Sequence, residues 1–83
     1  MKKNEFLIKL KIENLMSRVY AYEFDTITDA PFVMGCVYEG DSWKIFKTTE
    51  RTGHYIIKEF FDEDSAFNYF YELCLLEKHR DDC

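Results

Sequence analysis

Three runs decide the fold: Phe32-Val33-Met34-Gly35-Cys36-Val37-Tyr38, Trp43-Lys44-Ile45-Phe46 and His54-Tyr55-Ile56-Ile57-Lys58-Glu59-Phe60-Phe61. Each is rich in apolar and aromatic residues. The turn-forming segments Glu39-Gly40-Asp41-Ser42 and Thr49-Glu50-Arg51-Thr52-Gly53 separate them. Extended runs joined by short polar turns read as an antiparallel β-meander. The third run passes directly into Asp62-Glu63-Asp64-Ser65, an acidic helix start, and then into an apolar-rich stretch over residues 66–76. Asp62 suits the N-cap, Glu63 and Asp64 place negative charge at the positive end of the helix dipole, and Lys78, His79 and Arg80 sit at the other end. Ala66, Tyr69, Phe70, Leu73 and Leu76 or Glu77 follow one stripe, widened by Phe67, Tyr71, Cys74 and Leu75. This helix is expected to lie across the sheet.

Upstream, residues 4–18 fit two periods. Phe6, Ile8, Leu10 and Ile12 alternate as in a strand, whereas Ile8, Ile12, Leu15, Met16 and Val19 share one side of a helix. We read a helix, because Leu, Lys, Glu and Met favour it, the segment holds no Gly or Pro, and Asn4 can cap its start. Tyr20, Tyr22 and Phe24 fall on one face at strand spacing and predict a short edge strand before the meander. Residues 25–31 form a loop closed by Pro31. In the last strand Tyr55, Ile57 and Phe61 are expected to point one way and His54, Ile56 and Phe60 the other, so both faces carry apolar weight. The face away from the helices is either covered by residues 25–31 or left open. The expected architecture is therefore α+β over a single domain, residues 1–83. It consists of an N-terminal helix, a three- to four-stranded antiparallel meander, and a C-terminal helix packed across the sheet.

A chain of 83 residues must fill one modest core densely, since a domain of this size buries only about 60% of its unfolded surface. Eight Phe, six Tyr and one Trp can do so and leave rings over for a binding face. A net charge of −5 argues against nucleic acid or an anionic membrane as partner and suits a basic protein. Cys36, Cys74 and Cys83 are an odd, scattered set and read as free thiols in a reducing cytoplasm. The N-terminus has no uninterrupted apolar run of signal-peptide length, and no transmembrane stretch is present.

Catalytic constellations are thin. His54 beside Glu50 and Glu59 has the residue types of a general base with an orienting carboxylate, but a solvated residue at a strand start explains it better. Cys36, Cys74, His79 and Cys83 match no common zinc spacing, and no Gly-rich phosphate loop occurs. We therefore assign no catalytic residue, metal or cofactor. The candidate partner-binding residues are Tyr38, Asp41, Trp43, Glu50, Arg51, His54 and Tyr55, which lie in or beside the two turns of the meander. Arg51 can combine bidentate bonding with stacking. Trp43 is either the largest plug of the core or the centre of a hot spot.

The run Trp43-Lys44-Ile45-Phe46-Lys47-Thr48-Thr49-Glu50-Arg51-Thr52-Gly53, followed by Lys58-Glu59-Phe60-Phe61-Asp62-Glu63-Asp64-Ser65-Ala66-Phe67-Asn68-Tyr69-Phe70, resembles small immunity proteins of bacterial polymorphic-toxin systems, in particular the immunity protein 59 family. The shared pattern is a Trp-centred strand, a Glu-Arg-Gly turn, a strand ending in Phe-Asp, and an acidic helix start leading to Ala and a Tyr-Phe pair. About forty residues, 38–76, carry it, and Thr52 splits the turn. The resemblance implies a non-enzymatic cytoplasmic protein that binds a cognate toxin domain and occludes its active site. The competing expectation is a small regulatory or adaptor module acting through protein-protein contacts, for which an exposed edge strand would serve.

Overall fold

The computed structural model describes residues 1–51 and 53–81. Its elements are α1 (Lys3–Ile12), β1 (Ala21–Glu23), β2 (Val33–Glu39), β3 (Ser42–Thr48), β4 (His54–Phe60) and α2 (Glu63–Asp81). Thr52 in the second turn, and Asp82 and Cys83 at the end of the sequence, lie outside the described residues.

The meander forms where the three runs place it. Glu39 pairs with Ser42, and Gly40 and Asp41 between them take φ of 58° and 68°. Two positive values make this the two-residue turn whose twist matches paired strands. Gly53, at φ 56°, serves the second turn. The strands run in the order β1-β2-β3-β4, with β2, β3 and β4 antiparallel. The expected extra strand is present as β1 but lies parallel to β2, so the four-stranded sheet is mixed. Residues 24–32 cross the sheet between β1 and β2, and a strand returning from such a crossing runs the same way as the one before it.

α1 is shorter than residues 4–18 and begins before Asn4. Lys2 is the N-cap residue, and Asn4 lies inside the first turn. The cap is supplied from elsewhere: Lys2 N–H donates to Glu5 Oε1 (3.3 Å), and Lys3 N–H to Glu63 Oε2 of α2 (2.8 Å). The helix stops because Asn14 takes φ 52° and Leu15 N–H turns back to Leu10 O at 3.0 Å, a Schellman closure that carries Leu15 into the core. Lys78 Nζ then donates to the terminal carbonyls of Glu13 (3.2 Å) and Asn14 (2.5 Å). Side chains of α2 thus serve both ends of α1.

Both helices lie on one face of the sheet. Met34, Cys36 and Ile45 meet Phe6, Leu15, Ala66, Phe67, Phe70 and Cys74 there, all fully buried. Asp62 caps α2 as expected, its Oδ2 accepting Ser65 N–H at 2.8 Å. At the far end of the stripe Glu77 goes inside and Leu76 stays out. Residues 24–32 cover the opposite face, where Ile27 packs on Val33, Val37 and Phe46. Phe60 departs from the expected alternation. It pairs with Trp43 and packs with Ile57 on the helix face, because the register shifts between Ile45 and Phe46 and the extra residue in β4 turns the strand's second half over.

Candidate functional site

The seven sequence candidates separate into two groups at opposite ends of β3. Tyr38, Asp41 and Trp43 surround the β2–β3 turn; Glu50, Arg51, His54 and Tyr55 surround the β3–β4 turn. Trp43 and Thr48 mark the two ends, five residues apart, which is about 17 Å along a strand. They do not form one site.

In the first group Tyr38 and Trp43 are directly paired, with ring centroids 5.2 Å apart, and Tyr38 is 55% exposed. Trp43 is half-buried and meets Phe67 of α2 edge-on at 5.4 Å. An exposed aromatic is thus braced by a second that is fixed to the core. Glu39 and Asp41 stand exposed beside them. Lys44 folds back on the turn, its Nζ donating to Glu39 O (2.6 Å) and Ser42 Oγ (3.0 Å), while buried Ser42 donates to Glu59 Oε1 (2.8 Å). The carboxylates at the turn are left facing solvent.

In the second group Glu50 and Arg51 are exposed in the turn. Tyr55 is 47% exposed on the helix face opposite Lys47. His54 lies on the other face. Its carboxylate partner is Asp29, not Glu50 or Glu59: Asp29 Oδ1 accepts His54 N–H at 2.9 Å and lies 2.5 Å from Nδ1. The hydrogen bond from the His54 side chain holds the Asp29 carboxyl below the usual carboxylate range. Glu59 is four pairing positions away, accepting a hydrogen bond from Ser42. The arrangement fastens residues 25–31 to the sheet.

Sequence reasoning missed a buried ion pair near the second group. Lys47 Nζ lies 2.7 Å from Glu77, with side chains 13% and 6% exposed, and sits 4.6 Å from the centre of the Tyr20 ring. Burial alone would lower the Lys47 pKa, but the hydrogen bond and charge of Glu77 outweigh it and the net direction is upward. A lysine following Ile45-Phe46 inside a buried strand was the available signal. Cys36 and Cys74 are both buried in the core, and burial is the first cause pushing each thiol to about 12, so neither supplies a thiolate near neutral pH. Among the described residues no group of three His, Cys, Asp or Glu side chains is placed to hold a metal ion, and no helix is long and apolar enough to cross a membrane.

A concave depression lies elsewhere, on α1. Leu7, Leu10, Lys11, Asn14 and Met16 line a volume of about 400 Å³. Nothing in the candidate list pointed there, although the apolar residues on both sides of α1 were the visible signal.

No family model, curated protein or solved structure matches the chain.

Proposed function

We propose that this chain is a non-enzymatic immunity protein that binds a cognate toxin domain in the cytoplasm of the producing cell and occludes its active site. The observation that supports it best is the β2–β3 end of the sheet. There Tyr38, on β2 just before the two-residue turn, lies against Trp43, which Phe67 in turn fixes to the core, and Glu39 and Asp41 stand exposed nearby. A rigid aromatic with a carboxylate rim suits a basic protein surface: the charges speed encounter and the ring slows release. Polymorphic-toxin immunity, to which the run over residues 38–76 is similar, requires a small binding surface of this kind and no chemistry of its own.

The adaptor reading would be favoured by strand addition at an exposed edge, and of the two edge strands β1, three residues long, offers too little ladder, which leaves the outer edge of β4. That edge carries a bulge and the charged pair Lys58 and Glu59, both devices that discourage pairing with another chain. The toxin-binding reading therefore leads.

Co-expression with the product of the neighbouring gene tests it. The expected result is a complex that co-purifies and restores growth, and that Tyr38→Ala weakens by about 2 kcal/mol while leaving the fold intact. Arg51→Ala, at the other end of the sheet, is expected to change affinity much less. Folded protein that neither binds nor rescues would sink the immunity reading for that gene pair; the reverse ranking of the two variants would move the contact to the β3–β4 turn.

A further inference from the structure

The exposed ring of Tyr38 is one end of a longer row. Tyr38 pairs with Trp43 across β2 and β3, Trp43 pairs in register with Phe60 across β3 and β4, and Phe60 lies 5.5 Å, centroid to centroid, from Tyr69 of α2. Four rings from four elements thus meet on the helix face at one end of the sheet. Side chains directly opposite in a sheet stand about 5 Å apart, so the row has no gap between strands. Trp43, Phe60 and Tyr69 are half-buried, and each keeps part of its ring in solvent. Because the rings are fixed by strand pairing and by α2, covering them orders little that is mobile.

The charges that border the row favour one sign. Asp41 lies in the β2–β3 turn, Asp62 at the join of β4 and α2, and Glu72 one helical turn beyond Tyr69. All three are exposed, and none has an ion-pair partner among the described residues. Asp64, two residues past Asp62, is by contrast paired with Lys2 at 3.3 Å. The cations at this end are Lys58 on β4 and Lys44, whose ammonium is already bonded to Glu39 O and Ser42 Oγ.

We propose that the whole row, from Tyr38 to Tyr69, is one docking strip for a basic protein face, whose arginine side chains lie on the rings and bond to Asp41, Asp62 and Glu72. The proposal rests on the toxin-binding reading and extends its contact from the β2–β3 turn across the sheet onto α2. Arginine fits better than lysine, because a planar guanidinium stacks on an aromatic ring while offering paired donors to a carboxylate. Nucleic acid or an anionic membrane would be repelled by the same carboxylates.

The test has two arms. In the complex with the neighbouring gene's product, Tyr69→Ala is expected to weaken binding about tenfold, through faster dissociation. Glu72→Lys is expected to weaken it about fivefold, mainly through slower association, with the difference shrinking in added salt. Ile12→Ser, which removes an exposed apolar side chain on α1, should leave the affinity unchanged. Circular dichroism checks that each variant keeps the parent fold. The second arm uses Trp43, the single tryptophan of the chain, as a reporter within the row. Hexa-arginine should change its emission more than hexalysine does, and Glu72→Lys should reduce that response. A complex weakened by Tyr38→Ala but by neither Tyr69→Ala nor Glu72→Lys would overturn the strip and leave the toxin-binding reading standing. Equal responses to the two peptides would overturn the choice of arginine. Folded protein that forms no complex would overturn both readings for that gene pair. A two-chain mass in solution, measured with reductant, that Tyr38→Ala reduces to one chain would give the strip to a second copy of this chain and overturn the proposal.

Discussion

Where α2 covers the sheet, Met34, Cys36 and Ile45 are sealed by Phe67, Phe70 and Cys74, and the rings of Phe6, Phe24 and Tyr22 close the layer around Phe70 at centroid distances of 5.3–5.9 Å. Where residues 24–32 cover it, the apolar cluster is only Val33, Val37 and Phe46 with Ile27. Hydrogen bonds hold that second cover down: buried Thr48 Oγ1 accepts Val33 N–H (2.7 Å) and donates to Ala30 O (2.6 Å), and Asp29 accepts His54 N–H. The contrast follows from the backbone. A helix satisfies its own peptide groups and can offer side chains for burial, whereas an irregular segment needs partners for its N–H and C=O groups before it can lie on an apolar surface.

Substitutions on the two faces should separate these contributions. The largest effect is expected on the helix face: Phe67→Ala removes a fully buried ring touching Phe6, Phe24 and Trp43 and should cost about 3–5 kcal/mol in denaturant unfolding. A cost near that of an exposed Phe would mean that α2 is not the main lid. Gly35→Ala comes next. Its Cβ would lie 2.3 Å from the Phe46 ring and 2.5 Å from Glu23 O, so β1 or Phe46 must move, and we expect a loss of about 3 kcal/mol, the upper end of overpacking costs. An unchanged Tm would show that the loop face yields freely.

Thr48→Val keeps the shape and removes the hydroxyl, leaving Val33 N–H and Ala30 O without that partner; about 2 kcal/mol is expected, with amide exchange rising first in residues 25–33. Uniform exchange over both faces would contradict a separate latch. The smallest effect is expected from Asp29→Asn. The Asp29 carboxyl is held below its usual range when folded, so the unfolded chain takes up the proton first, and this contribution is complete above the ordinary Asp range and is lost as pH falls through the lower folded value. The variant should melt slightly below the parent at pH 7, and the gap should close as pH falls from about 4 through the lower folded value. A gap that persisted at pH 2 would remove the carboxylate from the explanation.

The meander, its two turns and the capped C-terminal helix were legible because each is specified by neighbours in sequence. Gly40-Asp41 sets a two-residue turn, and Asp62 sits three residues before the N–H it accepts. The first helix was legible in type but not in extent, since Leu15 leaves the helix for a place in a core that only α2 completes. The candidate site was the least legible. Position beside a turn put Tyr38 and Tyr55 in one group, whereas the length of β3 keeps them at opposite ends. Asp29 was out of reach because its partner lies twenty-five residues away, and no spacing rule links a loop carboxylate to a strand histidine.

By itself, then, the sequence determined the element types, the hairpin order β2-β3-β4 and an aromatic core, because turn chemistry, capping and periodicity act over a few residues. Only the tertiary structure decided that β1 joins parallel, that Phe60 turns inward past the bulge, and that Lys47 pairs with Glu77. The same holds for the exposed outer face of α1. These depend on which surfaces meet across the chain, and that is set by the burial of the whole molecule rather than by any local pattern.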